Sequence, residues 1–123
     1  MLNIYHSKNI DDFKWSHRML IVIKNSNKPL DFLGNYKKDF DKRDLILLEI
    51  FKRDTFINDK LMFSEFSNSI LKKISNIKNN SSIILIGKDG EIKNSYQLNI
   101  NIKEVFNEID SMPMRKFEIR NKL

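Results

Sequence analysis

Residues 81–98 read SSIILIGKDGEIKNSYQL, and this stretch decides how the rest of the chain is arranged. SIILIG is a short unbroken apolar run, the pattern of a strand covered on both faces. Lys88, Asp89 and Gly90 follow, and Gly90 supplies the positive φ that a tight hairpin turn demands. EIKNSYQL then returns as a more polar strand, as suits the edge of a sheet. A buried strand, a turn and an edge strand form a closing hairpin, so the other members of the sheet lie upstream.

Two more apolar runs bounded by charge stand there, RMLIVIK at residues 18–24 and LILLEIF at residues 45–51. Between them Asn25, Ser26, Asn27 and Lys28 make a turn, and Pro29 suits the first position of a helix. Leu33, Tyr36 and Phe40 then share one helical face, with Lys37, Lys38, Asp39 and Asp41 opposite. A helix joining two buried strands predicts a right-handed parallel crossover. Residues 53–59 break into a polar loop, after which Phe63, Phe66, Ile70 and Ile74 recur at helical spacing until Asn79 and Asn80.

Asn101, with Glu104 three residues on, has the look of a capping box for a last helix carrying Ile102, Val105, Phe106, Ile109 and Met112. Pro113 ends it. At the start of the chain, Asp11 and Asp12 suit the first turn of a short helix that runs on to Trp15, whose ring is expected at the edge of the core. The order is therefore (α)βαβαββα. It predicts an α/β, thioredoxin-like fold: a central mixed sheet of two parallel strands and an antiparallel hairpin, with helices on both faces. A single domain spans residues 1–123, with a core over about 10–113 and a charged tail, 114–123, anchored by Phe117 and Ile119.

Composition narrows the chemistry. Hydrophobic residues make up 41% and charged residues 31%, a globular rather than a disordered balance. There is no cysteine, which excludes disulfides, thiolate metal sites, thiol–disulfide exchange and cysteine-based peroxidase activity. His6 and His17 stand apart, without metal-ligand spacing, and no metal or other cofactor is expected. The net charge of +6 fits nucleic acid or an anionic surface, but the lysine excess accompanies abundant Asn, Ile and Phe, as AT-rich coding produces. No apolar run approaches the ~18 residues of a membrane span. With Met1 as the native start the expected location is cytoplasmic; for a processed fragment it is open.

Three segments carry a resemblance. FKWSHRMLIVI (13–23), IILIGKDGEIK (83–93) and IDSMPMRKFEIR (109–120) resemble the peroxiredoxin-like domain of unknown function 4174. That family is found as small bacterial proteins and within sushi-repeat-containing extracellular proteins of animals. Its motif residues here are Trp15 and Arg18, then Gly87, Lys88, Asp89 and Gly90, then Asp110, Met112, Pro113, Met114 and Arg115. The resemblance implies a thioredoxin-like fold with no established activity, and these residues read as structural, Asp110 pairing with Arg115. Thioredoxins proper carry Cys-x-x-Cys after the first strand and a cis-proline before the third. Residues 25–30 and the pair Ser81-Ser82 occupy those places here, so redox function is not expected.

The best candidate site is the rim where those features are missing. Ser26, Asn27 and Lys28 lie at the carboxyl end of a parallel strand and the start of a helix, where ligands of open α/β sheets gather. Arg53 after the second strand, and Ser81 and Ser82 before the third, close the same rim. A simpler role for Ser26 and Asn27 is to cap the helix and shape the turn. The leading expectation is a non-redox binding module for a protein partner or a small anionic ligand. The alternatives are a basic nucleic-acid-binding protein and an enzyme with a non-thiol site on the same rim. Ser26 is a poor nucleophile, because neither histidine falls near it.

Overall fold

The computed structural model describes residues 3–26, 32–77 and 82–121, the side chains of 32–34 excepted. The expectations for Asn27, Lys28, Pro29, Asn79, Asn80 and Ser81 lie outside the described residues.

The apolar runs are strands, as read. β1 (Arg18–Lys24) and β2 (Leu45–Phe51) run parallel, Leu20 beside Leu47, and α1 (Phe32–Lys42) connects them. β3 (Asp54–Ile57) and β4 (Lys60–Leu61) extend the sheet beyond β2, and α2 (Ser64–Lys73) leads back across it. β5 (Ile83–Ile86) is antiparallel to β1, and β6 (Ile92–Tyr96) forms the edge next to it. The six strands lie in the order β4-β3-β2-β1-β5-β6. α3 (Ile102–Asp110) and α4 (Pro113–Asn121) complete the chain.

Strand alternation divides the core. Met19, Ile21, Leu48, Ile50, Ile84 and Ile86 meet Phe66 and Ile70 of α2 and Ile10 and Phe13 of a 3-10 turn. Leu20, Val22, Leu45, Leu47, Ile83 and Leu85 meet Phe40 of α1 and Ile102, Val105, Phe106 and Ile109 of α3. β1 and β5 are covered on both sides, which is why their sequences are unbroken apolar runs. Each fully buried Leu or Ile contributes roughly 1.5–3 kcal/mol of transfer free energy, and this two-sided layer dominates the stability.

Several expectations need correcting. The polar loop expected at residues 53–59 holds β3, whose Thr55 and Ile57 are buried, and Asn58 and Asp59, both at positive φ, turn the chain into β4. Phe63 is not on the buried face of α2: it is the N-cap residue and is exposed. Asn101 does cap α3, but its side chain accepts from Lys103 N at 3.0 Å, at the second helical position rather than the amide of Glu104, so the cap is a simple one and not the expected box. Trp15 is not at the core edge but 67% exposed, in a turn at φ 69°, with its amide donating to Lys88 O at 2.7 Å.

The charged tail expected beyond Pro113 is α4, and its inward residues are Arg115 and Glu118, not Phe117 and Ile119, which are exposed. Pro113 ends one helix and opens the next, since its missing N–H has no role at a first helical position. The Lys88–Gly90 turn is as read, with Gly90 at φ 82°.

Candidate functional site

Sheet topology puts the rim at the carboxyl ends of β1 and β2. Ser26 lies two residues beyond β1, Arg53 sits in the turn after β2, and Ser82 precedes β5. Ser82 is tied in place, its carbonyl accepting from Ile23 N at 2.7 Å and its amide donating to Tyr96 O at 3.0 Å. These three predicted residues thus stand at one end of adjacent strands. They do not line the depression found there.

That depression, of about 200 Å3, is lined by Lys24, Glu49, Phe51, Phe56 and Asp59. Register explains the grouping. Val22 pairs with Glu49 and Lys24 with Phe51, while Glu49 faces Phe56 across to β3, so alternation sends these side chains to one face. Lys24 Nζ donates to Glu49 Oε2 at 2.9 Å, with only 9% and 14% of the two side chains exposed. A carboxylate inside LILLEIF has to find a cation, because an unpaired buried charge is far more costly than a paired one. That requirement was the available signal in the sequence. Lys24 reads there merely as the boundary of an apolar run.

The family-like motif residues gather at the opposite end. Arg18, at the start of β1, is 1% exposed, and its guanidinium donates to Arg43 O at 2.8 Å and to both oxygens of Glu118 at 3.2 and 3.1 Å. Lys88 Nζ bridges Asp44 and Glu118, each at 2.9 Å. Asp110 accepts from Arg43 at 2.7 Å and, as expected, from Arg115 at 3.2 Å. Nine charges from β1, the ends of α1 and α3, the β5–β6 turn and α4 therefore form a continuous network, once Asp39, beside Arg43 at 3.4 Å and Lys42 at 3.7 Å, is included.

The network sets the ionisation of its members. Burial alone would push the Glu118 carboxyl up, but Arg18 and Lys88 hold it down at about 2. Asp110 is likewise lowered, burial being outweighed by Arg43 and Arg115. Burial lowers His17, with Asp44 and Lys88 acting on it in opposite senses. These carboxylates are held charged, the condition of ion-pairing groups rather than of a general acid poised near neutrality. Among the described residues no group of three or more His, Asp or Glu side chains is arranged to hold a metal. No described helix is long and apolar enough to cross a membrane.

The same architecture occurs in solved peroxiredoxins. Thioredoxin peroxidase I of Plasmodium yoelii superposes with a TM-score of 0.58 at 17% identity, over 87% of this chain and 79% of that one. The mitochondrial 2-Cys peroxiredoxin of Plasmodium falciparum gives a TM-score of 0.54 at 18% identity, over 83% and 79%. Likeness at that identity establishes a thioredoxin-like fold and nothing of the activity, and this chain has no cysteine. No curated protein matches the chain. One family model spans residues 9–118, taking in the first two motif segments and the third as far as Glu118, and the chain belongs to that family, described as a domain of unknown function (DUF4174).

Proposed function

We propose that this protein is a non-redox binding module that uses the rim at the carboxyl ends of β1 and β2 to engage a partner protein. The observation that carries the reading is the shielded Lys24–Glu49 pair in the rim depression. Buried ion pairs seldom improve stability over apolar side chains of the same size, so an ion pair kept in a concave surface is better accounted for by recognition. Ser26, Arg53 and Ser82 stand next to the ends of the strands that meet at this end of the sheet, and Asn27, Lys28 and Ser81 belong to the same proposed rim by their place in the sequence.

The depression's lining favours a protein segment over a small anion. Lys24 is neutralised by Glu49, Asp59 adds a negative charge, and Phe51 and Phe56 offer aromatic surface. Such a lining suits an apolar or cationic side chain from a partner. The test is affinity capture from native lysate, with and without nuclease treatment, by wild type, by S26A/N27A/K28A and by Phe56→Lys, each variant first shown to be folded. A protein held by wild type and lost by both variants is the expected result. Equal retention by both variants overturns the site, and capture that disappears with nuclease treatment supports nucleic acid instead.

A further inference from the structure

The motif residues at the amino end of β1 do more than hold α4. Beside their ion network is an open cavity of about 260 Å3, lined by Arg18, Lys88 and Lys93 and one carboxylate, Asp89, together with Met112, Pro113 and Met114. It lies at the other end of the sheet from the rim and has a different character, cations on one part of its lining and two thioethers and a proline ring on another. We propose that this cavity binds a small monocarboxylate with a short apolar chain.

The charge distribution supports an anion. Arg18 and Lys88 have side chains 1% and 9% exposed, whereas Asp44, which pairs with Lys88, is 44% exposed. Glu118, which bonds both cations and is 17% exposed, is not part of the lining, so the cavity wall itself carries three cations against one carboxylate, Asp89. Donor capacity remains as well. The bonds to Asp44 and Glu118 use two of the three N–H groups of the Lys88 ammonium, and Arg18 has more N–H groups than its bonds to Arg43 and Glu118 require. Lys93, the third cation of the lining, is kept at the cavity by Asp89, which accepts from it at 2.6 Å.

The apolar part of the lining sets the rest of the ligand. Met112 and Met114 flank Pro113, and flexible thioethers adapt to small apolar chains without a fixed shape. The volume lies below the ~300 Å3 at which pockets begin to hold drug-sized molecules, which restricts the ligand to a few carbons. Acetate lacks the apolar part and a short alcohol lacks the charge, so each should bind more weakly than a carboxylate that has both.

The experiment is an amide chemical-shift titration of the intact chain with hexanoate, acetate, 1-hexanol and an acetylated tripeptide ending in leucine. Hexanoate should saturate with a Kd of about 1 mM, as expected for so few atoms, shifting the amides of residues 87–89, 112 and 114. Acetate and hexanol should bind at least tenfold more weakly. Met114→Glu places a negative charge at a half-exposed position of the wall outside the ion network and should weaken hexanoate at least tenfold with unchanged thermal stability. Absence of saturable shifts at those residues, or equal binding of hexanol, overturns the proposal. Tighter binding of the peptide than of hexanoate overturns the assignment to a free small acid.

Discussion

Glu118 shows most clearly how single residues carry this fold. Its folded pKa of about 2 lies below the ordinary 4.5, so its contribution to stability is complete above about pH 4.5 and disappears as pH falls toward 2. Glu118→Gln should cost about 3 kcal/mol in urea unfolding at pH 7, since it strands Arg18 and Lys88, and the difference from wild type should vanish near pH 2. Trp15 makes the opposite prediction. Its backbone is in the left-handed region and its ring is in solvent. Trp15→Gly should therefore be neutral or stabilising by up to ~1 kcal/mol, where a core tryptophan would cost roughly 3–5. Thermal melts decide between the two, and iodide should quench the emission of this sole tryptophan efficiently.

At the scale of elements, what the sequence disclosed followed from hydrophobic pattern. β1, β2 and β5 are continuous apolar runs, α3 repeats its apolar residues with helical spacing, and the turn at Gly90 has a dedicated glycine. α4 was not legible as a packed helix because its buried side of Arg115 and Glu118 is charged while Phe117 is exposed, the reverse of an ordinary amphipathic stripe. The β3–β4 hairpin was hidden because its turn is Asn58-Asp59, both at positive φ without a glycine, and β4 has two residues only. That turn offers a test separating stability from binding. Asp59→Gly relieves a left-handed residue and should raise stability by up to ~1 kcal/mol, while removing a carboxylate from the rim and weakening partner capture severalfold.

For the whole molecule, the candidate site was legible only in part. The rim itself followed from topology, because the carboxyl ends of adjacent parallel strands are where loops converge, and Ser26, Arg53 and Ser82 do stand there. Lys24 and Glu49 needed the register between β1 and β2, which no single strand's sequence contains. The motif segments, by contrast, meet at the far end although they lie far apart in the sequence: Arg18 of the first bonds Glu118 of the last, a residue not singled out beforehand, across a separation of 100 residues. On the proposed reading the two ends of one sheet have separate duties, the far end fixing α4 and taking a small acid, the rim engaging a partner protein. Hydrogen exchange should be slowest in β1, flanked by β2 and β5 and buried on both faces.

The division of duties is tested most directly by photo-crosslinking. A benzophenone amino acid replaces Phe56 at the rim in one protein and Phe117, 60% exposed on α4, in another, and both are irradiated in native lysate. A discrete protein adduct from position 56 and none from position 117 is the result expected for a binding module that works through its rim. An adduct from position 117 with none from position 56 would contradict the account and place recognition on α4.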